Sequence, residues 1–297
     1  MKTLEHRRFS EFCDACRRYG YIGLCYGAPG VGKTLSARCY SRWDKVGQSD
    51  PWGSGPIEDP LLDTVFYTPS VINAPHRIES EIKQSRHTLT ELARRPLREK
   101  KAEHLAAIRR RDEEQPTRYW KTGRRLIPIP KPTLRPTYGE VAQDYMMREL
   151  QISDPTTLIL VDEADRLRMA GLEQLRAIFD AGAIGVILIG MPGLEKRLAR
   201  YPQFYSRIGF VHEFRPLAAQ EVRQLLDQRW APPGVKLPEK PFDPETVATI
   251  IRITGGNFRL LNRLLTQMER ILEINGLPEA TKAVVEAARE SLVIGQV

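Results

Sequence analysis

Two rhythms of apolar residues divide the chain. Short, largely apolar runs occupy residues 21–26, 61–67, 157–161 and 185–190, bounded by glycine, proline or polar residues. Runs of this length, rich in Ile, Val and Leu, suit strands buried on both faces. Residues 4–19, 35–44, 138–151 and 172–180 carry the pattern of helices that bury one face. Short strands alternating with helices predict a parallel sheet with helices on both sides. From about Leu217 the pattern changes: residues 218–230, 244–253, 257–274 and 279–293 read as helices, and Trp230-Ala231-Pro232-Pro233-Gly234 breaks the first from the second. The expected fold class is α/β, with a helical lead-in over residues 1–20, an α/β domain over 21–214 and a small all-helical domain over 215–297.

A charged stretch interrupts this pattern as a basic insertion at about 77–136. Residues 76–95 and 97–114 read as two charged helices broken at Pro96, because proline lacks the amide a helix interior needs. Residues 47–60, rich in Gly, Pro and Asp, read as a loop, and 116–136 as extended chain, with prolines at 128, 130, 132 and 136. The formal charge is +8, and residues 77–135 hold 17 Lys/Arg against 8 Asp/Glu, so this one segment carries the whole excess. That makes it a candidate contact for a polyanion. Arg118, Tyr119, Trp120, Lys121, Arg124 and Arg125 combine phosphate-neutralising charges with rings that can stack on or wedge between bases. The same segment also reads as a solvated helical hairpin with a tail, or as a docking arm for a protein.

The chemistry is concentrated elsewhere. Gly27, Ala28, Pro29, Gly30, Val31, Gly32, Lys33 and Thr34 fit G-x-x-x-x-G-K-S/T, with an apolar run before them and Leu35 opening a helix after them. In such a loop the backbone amides close around phosphate oxygens, the lysine reaches the β- and γ-phosphates, and the threonine hydroxyl faces Mg²⁺. About 130 residues on, the apolar run 157–161 ends in Asp162 and Glu163. The first carboxylate can hold the Mg²⁺ and the second can polarise an attacking water. Alone, the motifs could be a glycine-rich turn and an acidic helix cap; together they point to hydrolysis of ATP or GTP.

The remaining composition mainly excludes. No stretch approaches a membrane span and the first six residues hold no apolar signal region. Four cysteines do not suggest a disulfide scaffold, so a cytoplasmic, reducing compartment is expected. Cys13 and Cys16 form a lone C-x-x-C with no second pair, and read as neighbours on one helix face rather than as a metal or redox site.

The phosphate loop, the acidic strand, the later strand at 185–190 and the helical C-terminal region together resemble the AAA+ ATPases. Val161-Asp162-Glu163-Ala164-Asp165-Arg166-Leu167 followed by Val186-Ile187-Leu188-Ile189-Gly190-Met191-Pro192-Gly193-Leu194 looks like the MuB-like TniB/TnsC group of transposition ATPases. The resemblance covers about residues 15–45 and 150–275. It implies a parallel-sheet P-loop core with a helical lid, and an ATP- and Mg²⁺-dependent protein that forms homo-oligomers on double-stranded DNA. It also implies a transposase partner and a target-selection adaptor. A helicase-loader or replication-initiator ATPase, or one without DNA binding, stays open beside it. The family's polar first sensor falls near Met191, which is apolar. Arg207 stands where the family places an arginine finger and also reads as a surface arginine capping a helix. Arg259 stands at the second sensor, in a Gly255-Gly256-Asn257 turn that also reads as a helix N-cap.

Overall fold

The computed structural model describes residues 3–50, 62–114, 119–122, 124–128, 136–182, 184–238 and 242–292. The chain divides into two compact units: Met1–Ser41 with Phe66–Glu79 and Thr157–Val297, and Arg42–Val65 with Ser80–Thr156.

In the first unit α1 (Leu4–Tyr19) leads into β1 (Ile22–Tyr26) and α2 (Lys33–Ser41); α3 (Trp43–Gln48) and β2 (Thr64–Tyr67) follow in the chain. After α4 (Pro75–Glu114), β3 (Tyr119–Thr122), β4 (Arg125–Pro128) and α5 (Tyr138–Gln151) come β5 (Leu158–Val161), α6 (Met169–Asp180) and β6 (Gly185–Gly190). Two short helices, α7 (Leu194–Leu198) and α8 (Pro202–Tyr205), precede β7 (Ile208–Glu213). The main sheet runs in the order β2-β5-β6-β1-β7. β1 pairs in parallel with β6 and β7, and β5 in parallel with β6. Parallel strands covered on both faces need continuous apolar sequence, and every residue of β5 and β6 is buried. α1 packs on this sheet, burying Phe9, Phe12, Cys13 and Cys16. Burial raises the Cys16 thiol to about 12 and pushes Cys13 up as well, which leaves both in the unreactive thiol form.

The C-terminal helices α9 (Ala219–Asp227), α10 (Pro244–Thr254), α11 (Phe258–Asn275) and α12 (Lys282–Glu290) close over their own core. In α11, Leu261, Leu264, Leu265, Met268 and Leu272 repeat every three or four residues and are buried. Asp243 caps α10, its carboxylate accepting from the Thr246 amide at 2.8 Å, and Gly255 ends that helix in the left-handed region.

The second unit corrects one expectation. Pro96 does not break the helix: α4 runs unbroken through it for 40 residues. An interior proline removes one hydrogen bond and crowds the preceding turn, at a cost of about 3 kcal/mol. Ion pairs on both sides of it oppose that cost. Arg98 reaches Glu91 and Glu149 at 2.5 Å each, and Arg94 reaches Glu91 at 2.9 Å, so α4 is stapled to itself and to α5. Burial pushes the Glu91 carboxyl up, but the Arg98 and Arg94 bonds outweigh it and its pKa is lowered. The expected extended chain beyond α4 contains a two-stranded antiparallel ribbon, with Lys121 opposite Leu126 and Thr122 opposite Arg125. Among the described residues no helix is long and apolar enough to cross a membrane.

Candidate nucleotide site

β1 delivers the chain to a loop in which Gly30 and Gly32 have φ of 81° and 112°, values that L side chains rarely adopt. A Cβ on Gly30 would also stand 2.6 Å from Asn257 Oδ1. The loop opens directly into α2, whose first amides lack intrahelical acceptors and favour an anion. Lys33 Nζ donates to the carbonyls of Gly27 and Ala28 at 2.6 and 2.8 Å, which folds the ammonium back over the loop. Burial lowers its pKa, while the charges of Asp162 and Asp165 act in the opposite direction.

At the end of β5 Asp162 is only 4% exposed. Burial raises its pKa, and the hydrogen bond from Thr34, the Glu163 amide and the Lys33 charge partly offset this. A buried carboxylate joined to a threonine hydroxyl at the mouth of a phosphate loop matches the oxygen donors that Mg²⁺ takes beside phosphates. Glu163 has φ of 51°, an uncommon left-handed conformation for a residue that is not glycine, and pairs with Arg166. Arg166 also donates to the Pro69 carbonyl at 3.2 Å.

A cavity of about 610 Å³ joins these parts, within the 300–1,000 Å³ range of small-molecule sites. The phosphate loop and α2 contribute Pro29, Gly30, Gly32, Lys33, Thr34, Leu35 and Arg38 to it, and β5 with the following turn contributes Asp162, Glu163, Asp165 and Arg166. Gly27, Ala28 and Val31 shape the loop without lining the cavity, and Val31 is buried beneath it. Gly190 and Met191 enter from β6. Met191 is apolar as read from the sequence, but its amide donates to Asp165 Oδ2 at 2.8 Å. Gly190 makes room for this carboxylate, since a Cβ there would lie 2.6 Å from the same oxygen.

The helical region completes the cavity with Phe258, Arg259 and Asn262. The Gly255–Arg259 turn is a helix N-cap, and it also brings Arg259 to the cavity. Asn257 caps α11 by accepting from the amides of Arg259 and Leu260 at 3.1 and 3.2 Å, and Arg259 lines the cavity. The cap is also a latch. Asn257 Nδ2 donates to the Pro29 carbonyl at 2.8 Å and the Arg259 amide to the Gly30 carbonyl at 2.9 Å, so the lid helix grips the phosphate loop.

Arg207 is not in the cavity. It precedes β7, half-buried, with Nε on Asp180 Oδ1 at 2.6 Å, Nη2 on Asp180 Oδ2 at 2.9 Å and a further bond to the Gln203 carbonyl. This fork holds the Asp180 carboxyl below its usual range. Lys121, Arg124 and Arg125 are exposed on the β3–β4 ribbon. Arg118, Lys131 and Arg135 lie outside the described residues, as do the side chains of Tyr119 and Trp120.

Sequence reasoning missed Arg38, Asp165, Arg166 and Asn262. Spacing could have found two of them: Arg166 lies three residues beyond Glu163 in a tight turn, and Asn262 one helical turn beyond Arg259.

An AAA domain family matches residues 16–198. A Staphylococcus aureus protein described as a potential ATP-binding protein is 39% identical over 303 residues, covering 99% of this chain and 97% of that protein. Among solved structures, the Thermotoga maritima RuvB Holliday junction branch migration motor superposes with a TM-score of 0.52 at 14% identity, over 99% of this chain and 73% of that one. The Aeropyrum pernix ORC1 protein, solved in complex with DNA, gives 0.51 at 20% identity, over 97% of this chain; the match spans 64% of ORC1, under two thirds of its length. These likenesses show a common fold, a parallel sheet with surrounding helices and a helical C-terminal region. The chain belongs to the AAA domain family and is an AAA+ P-loop ATPase.

Proposed function

We propose that this chain is a DNA-bound, ATP-hydrolysing regulator of transposition, of the TniB/TnsC kind. In this reading it assembles as a homo-oligomer on double-stranded DNA and recruits or activates a transposase, with a target-selection adaptor as a further partner. The observation that carries the reading is a complete phosphate cavity in a chain whose whole excess of positive charge sits in one separate segment, residues 77–135. The neighbours' descriptions, a complex with DNA and a branch migration motor, support the DNA part. The ORC1 likeness also favours a second reading, a replication-initiator or helicase-loader ATPase.

Within the cavity, the loop amides and Lys33 bind the β- and γ-phosphates. Thr34 and Asp162 would hold Mg²⁺, which supplies charge neutralisation at the phosphates. Glu163 orients the attacking water and accepts its proton, and Arg259 reaches the γ-phosphate from the lid. Arg207 acts across a subunit boundary, exchanging Asp180 for a neighbour's phosphate.

Electron microscopy with duplex DNA, with and without a non-hydrolysable ATP analogue, tests the class. Rings or filaments that need both are expected; their absence under all conditions would count against assembly on DNA. A transposase as binding partner separates the first reading from the second, which calls for a replicative helicase.

Arg207→Ala is expected to leave ATP binding unchanged and to lower turnover in the assembly by about tenfold or more, because a finger acts only where subunits meet. Mixing Arg207→Ala with Glu163→Gln should restore some activity at interfaces that pair an intact Arg207 with an intact Glu163. No recovery at any ratio, despite co-assembly, would leave Arg207 as the structural partner of Asp180.

Neutralising Lys121, Arg124 and Arg125 should weaken DNA binding uniformly across sequences. The log–log salt slope should flatten by roughly 0.9 for each duplex phosphate that the variant no longer neutralises. An unchanged slope, together with failure to recruit a protein, would make this segment a docking arm.

A further inference from the structure

The turn after β5 carries a further carboxylate into the cavity. Asp165 is exposed and lines the same space as Lys33 and Glu163. Its negative charge acts on the Lys33 ammonium and raises its pKa, against the effect of burial. Side chain and main chain are both fixed. Asp165 Oδ2 accepts from the Met191 amide at 2.8 Å, and Gly190, which has no side chain, leaves room for that oxygen. Arg197 Nη1 donates to the Asp165 carbonyl at 2.9 Å, and its Nη2 donates to the carbonyl of Leu167. The second carboxylate oxygen, Oδ1, has no hydrogen-bond partner among the described residues. A carboxylate in a cavity for triphosphates calls for a reason, since it repels the phosphates and competes with them for Lys33. Holding the Met191 amide is not that reason, because a neutral asparagine offers the amide an oxygen as well. What asparagine lacks is a second acceptor; its other position is an NH₂ donor.

We propose that Asp165 is a second catalytic carboxylate, whose free oxygen accepts one hydrogen of the attacking water while Glu163 accepts the other. This rests on the cavity being an ATPase site with Glu163 as its base. Water has two O–H groups and attacks phosphorus through a lone pair. A single acceptor leaves the molecule free to swivel about one bond. Two acceptors turn both hydrogens away from the phosphate and aim the lone pair at it. The other side chains around the cavity do not fill the second place. Lys33, Arg38, Arg166 and Arg259 only donate. Thr34 is engaged with Asp162, which is itself buried. The side-chain oxygen of Asn262 is buried, out of reach of the cavity. Glu163 and Asp165 remain, on either side of Ala164 in one tight turn. The water oxygen then bonds to the γ-phosphorus, the bond from that phosphorus to the bridging oxygen breaks, and the electron pair leaves with ADP. One water proton passes to Glu163. The other stays on its oxygen, now a hydroxyl of the released phosphate, and its hydrogen bond to Asp165 holds through the transfer.

Asp165→Asn separates this role from that of a staple between the turn and β6. The Met191 amide needs an acceptor and keeps the asparagine oxygen, so the NH₂ group stands where the carboxylate had its free oxygen. The fold is expected to hold, with Tm within about 2 °C of wild type. ATP Kd should stay level or tighten by up to about tenfold, since a charge that repels the phosphates is gone. Against this, kcat should fall about a hundredfold, the scale of one missing transition-state hydrogen bond. A residue that only braced the turn would not move affinity and turnover in opposite directions. Asp165→Ala removes the staple as well, and should show the same fall in kcat with a lower Tm. Turnover of Asp165→Asn within about threefold of wild type would overturn the proposal, whatever Asp165→Ala does. So would a fall in Asp165→Asn matched by equally weaker ATP binding or by unfolding. Glu163→Gln run in parallel reports on the site itself: wild type as inactive as Glu163→Gln would overturn the ATPase reading and this inference with it.

Discussion

Lys33→Ala is expected to weaken ATP binding by about a thousandfold, or below detection in titration calorimetry. A charge-assisted hydrogen bond contributes about 1.5–3 kcal/mol, and Lys33 can make more than one such bond to the β- and γ-phosphates. No other loop residue carries a positive charge. Arg38 and Arg259 also line the cavity, from α2 and from the lid, but neither sits within the ring of loop amides. The fold should survive. Lys33 bonds the carbonyls of Gly27 and Ala28, in a part-buried to exposed setting where water can replace it. A thermal shift gives an independent check: ATP at a hundred times Kd adds about 2.7 kcal/mol to wild-type stability, and should add almost nothing to the variant. Near-normal affinity in Lys33→Ala would remove this cavity as the triphosphate site.

The parts of this protein most legible in the sequence are those where one physical demand dominates. β6 is readable at its observed bounds because both of its faces are buried, so all its side chains must be apolar or small. The phosphate loop is readable because Gly30 and Gly32 serve backbone geometry that other residues resist. β7 escapes a reading by apolar runs. It is an edge strand whose burial alternates, so Gly209, Val211 and Glu213 face outward between half-buried neighbours and no apolar run marks it. The helix through Pro96 escapes as well, because local propensity says stop, whereas Arg98 pairs with Glu149, a contact that appears only once α4 and α5 meet. Met191 is legible as apolar, but its polar neighbours are not. Asp165 comes from 26 residues earlier in the chain and Asn262 from the lid, and only the fold brings them to one cavity.

Glu163→Gln should separate binding from chemistry. Glutamine keeps the length of glutamate and can still accept the Arg166 hydrogen bond, so the turn after β5 is expected to hold. The ion pair it gives up is half-exposed, with side-chain exposures of 47% for Glu163 and 40% for Arg166, and such pairs contribute about 0–1 kcal/mol. Tm and ATP Kd should therefore change little. Turnover should fall by about 10²–10⁴-fold, the usual contribution of a positioned general base, because an amide cannot accept the water proton. Asp162, one residue earlier, cannot substitute: it is buried and already bonded to Thr34. With ATP bound and not consumed, assemblies on DNA should persist longer than those of wild type, which dissociation after dilution would show. A rival account follows from the geometry itself, in which Glu163 exists only to hold Arg166. That account predicts wild-type turnover in Glu163→Gln, since the hydrogen bond survives, and unaltered lifetimes on DNA. Steady-state ATPase rates at saturating ATP decide between them, and a rate within about threefold of wild type would take Glu163 out of the chemistry.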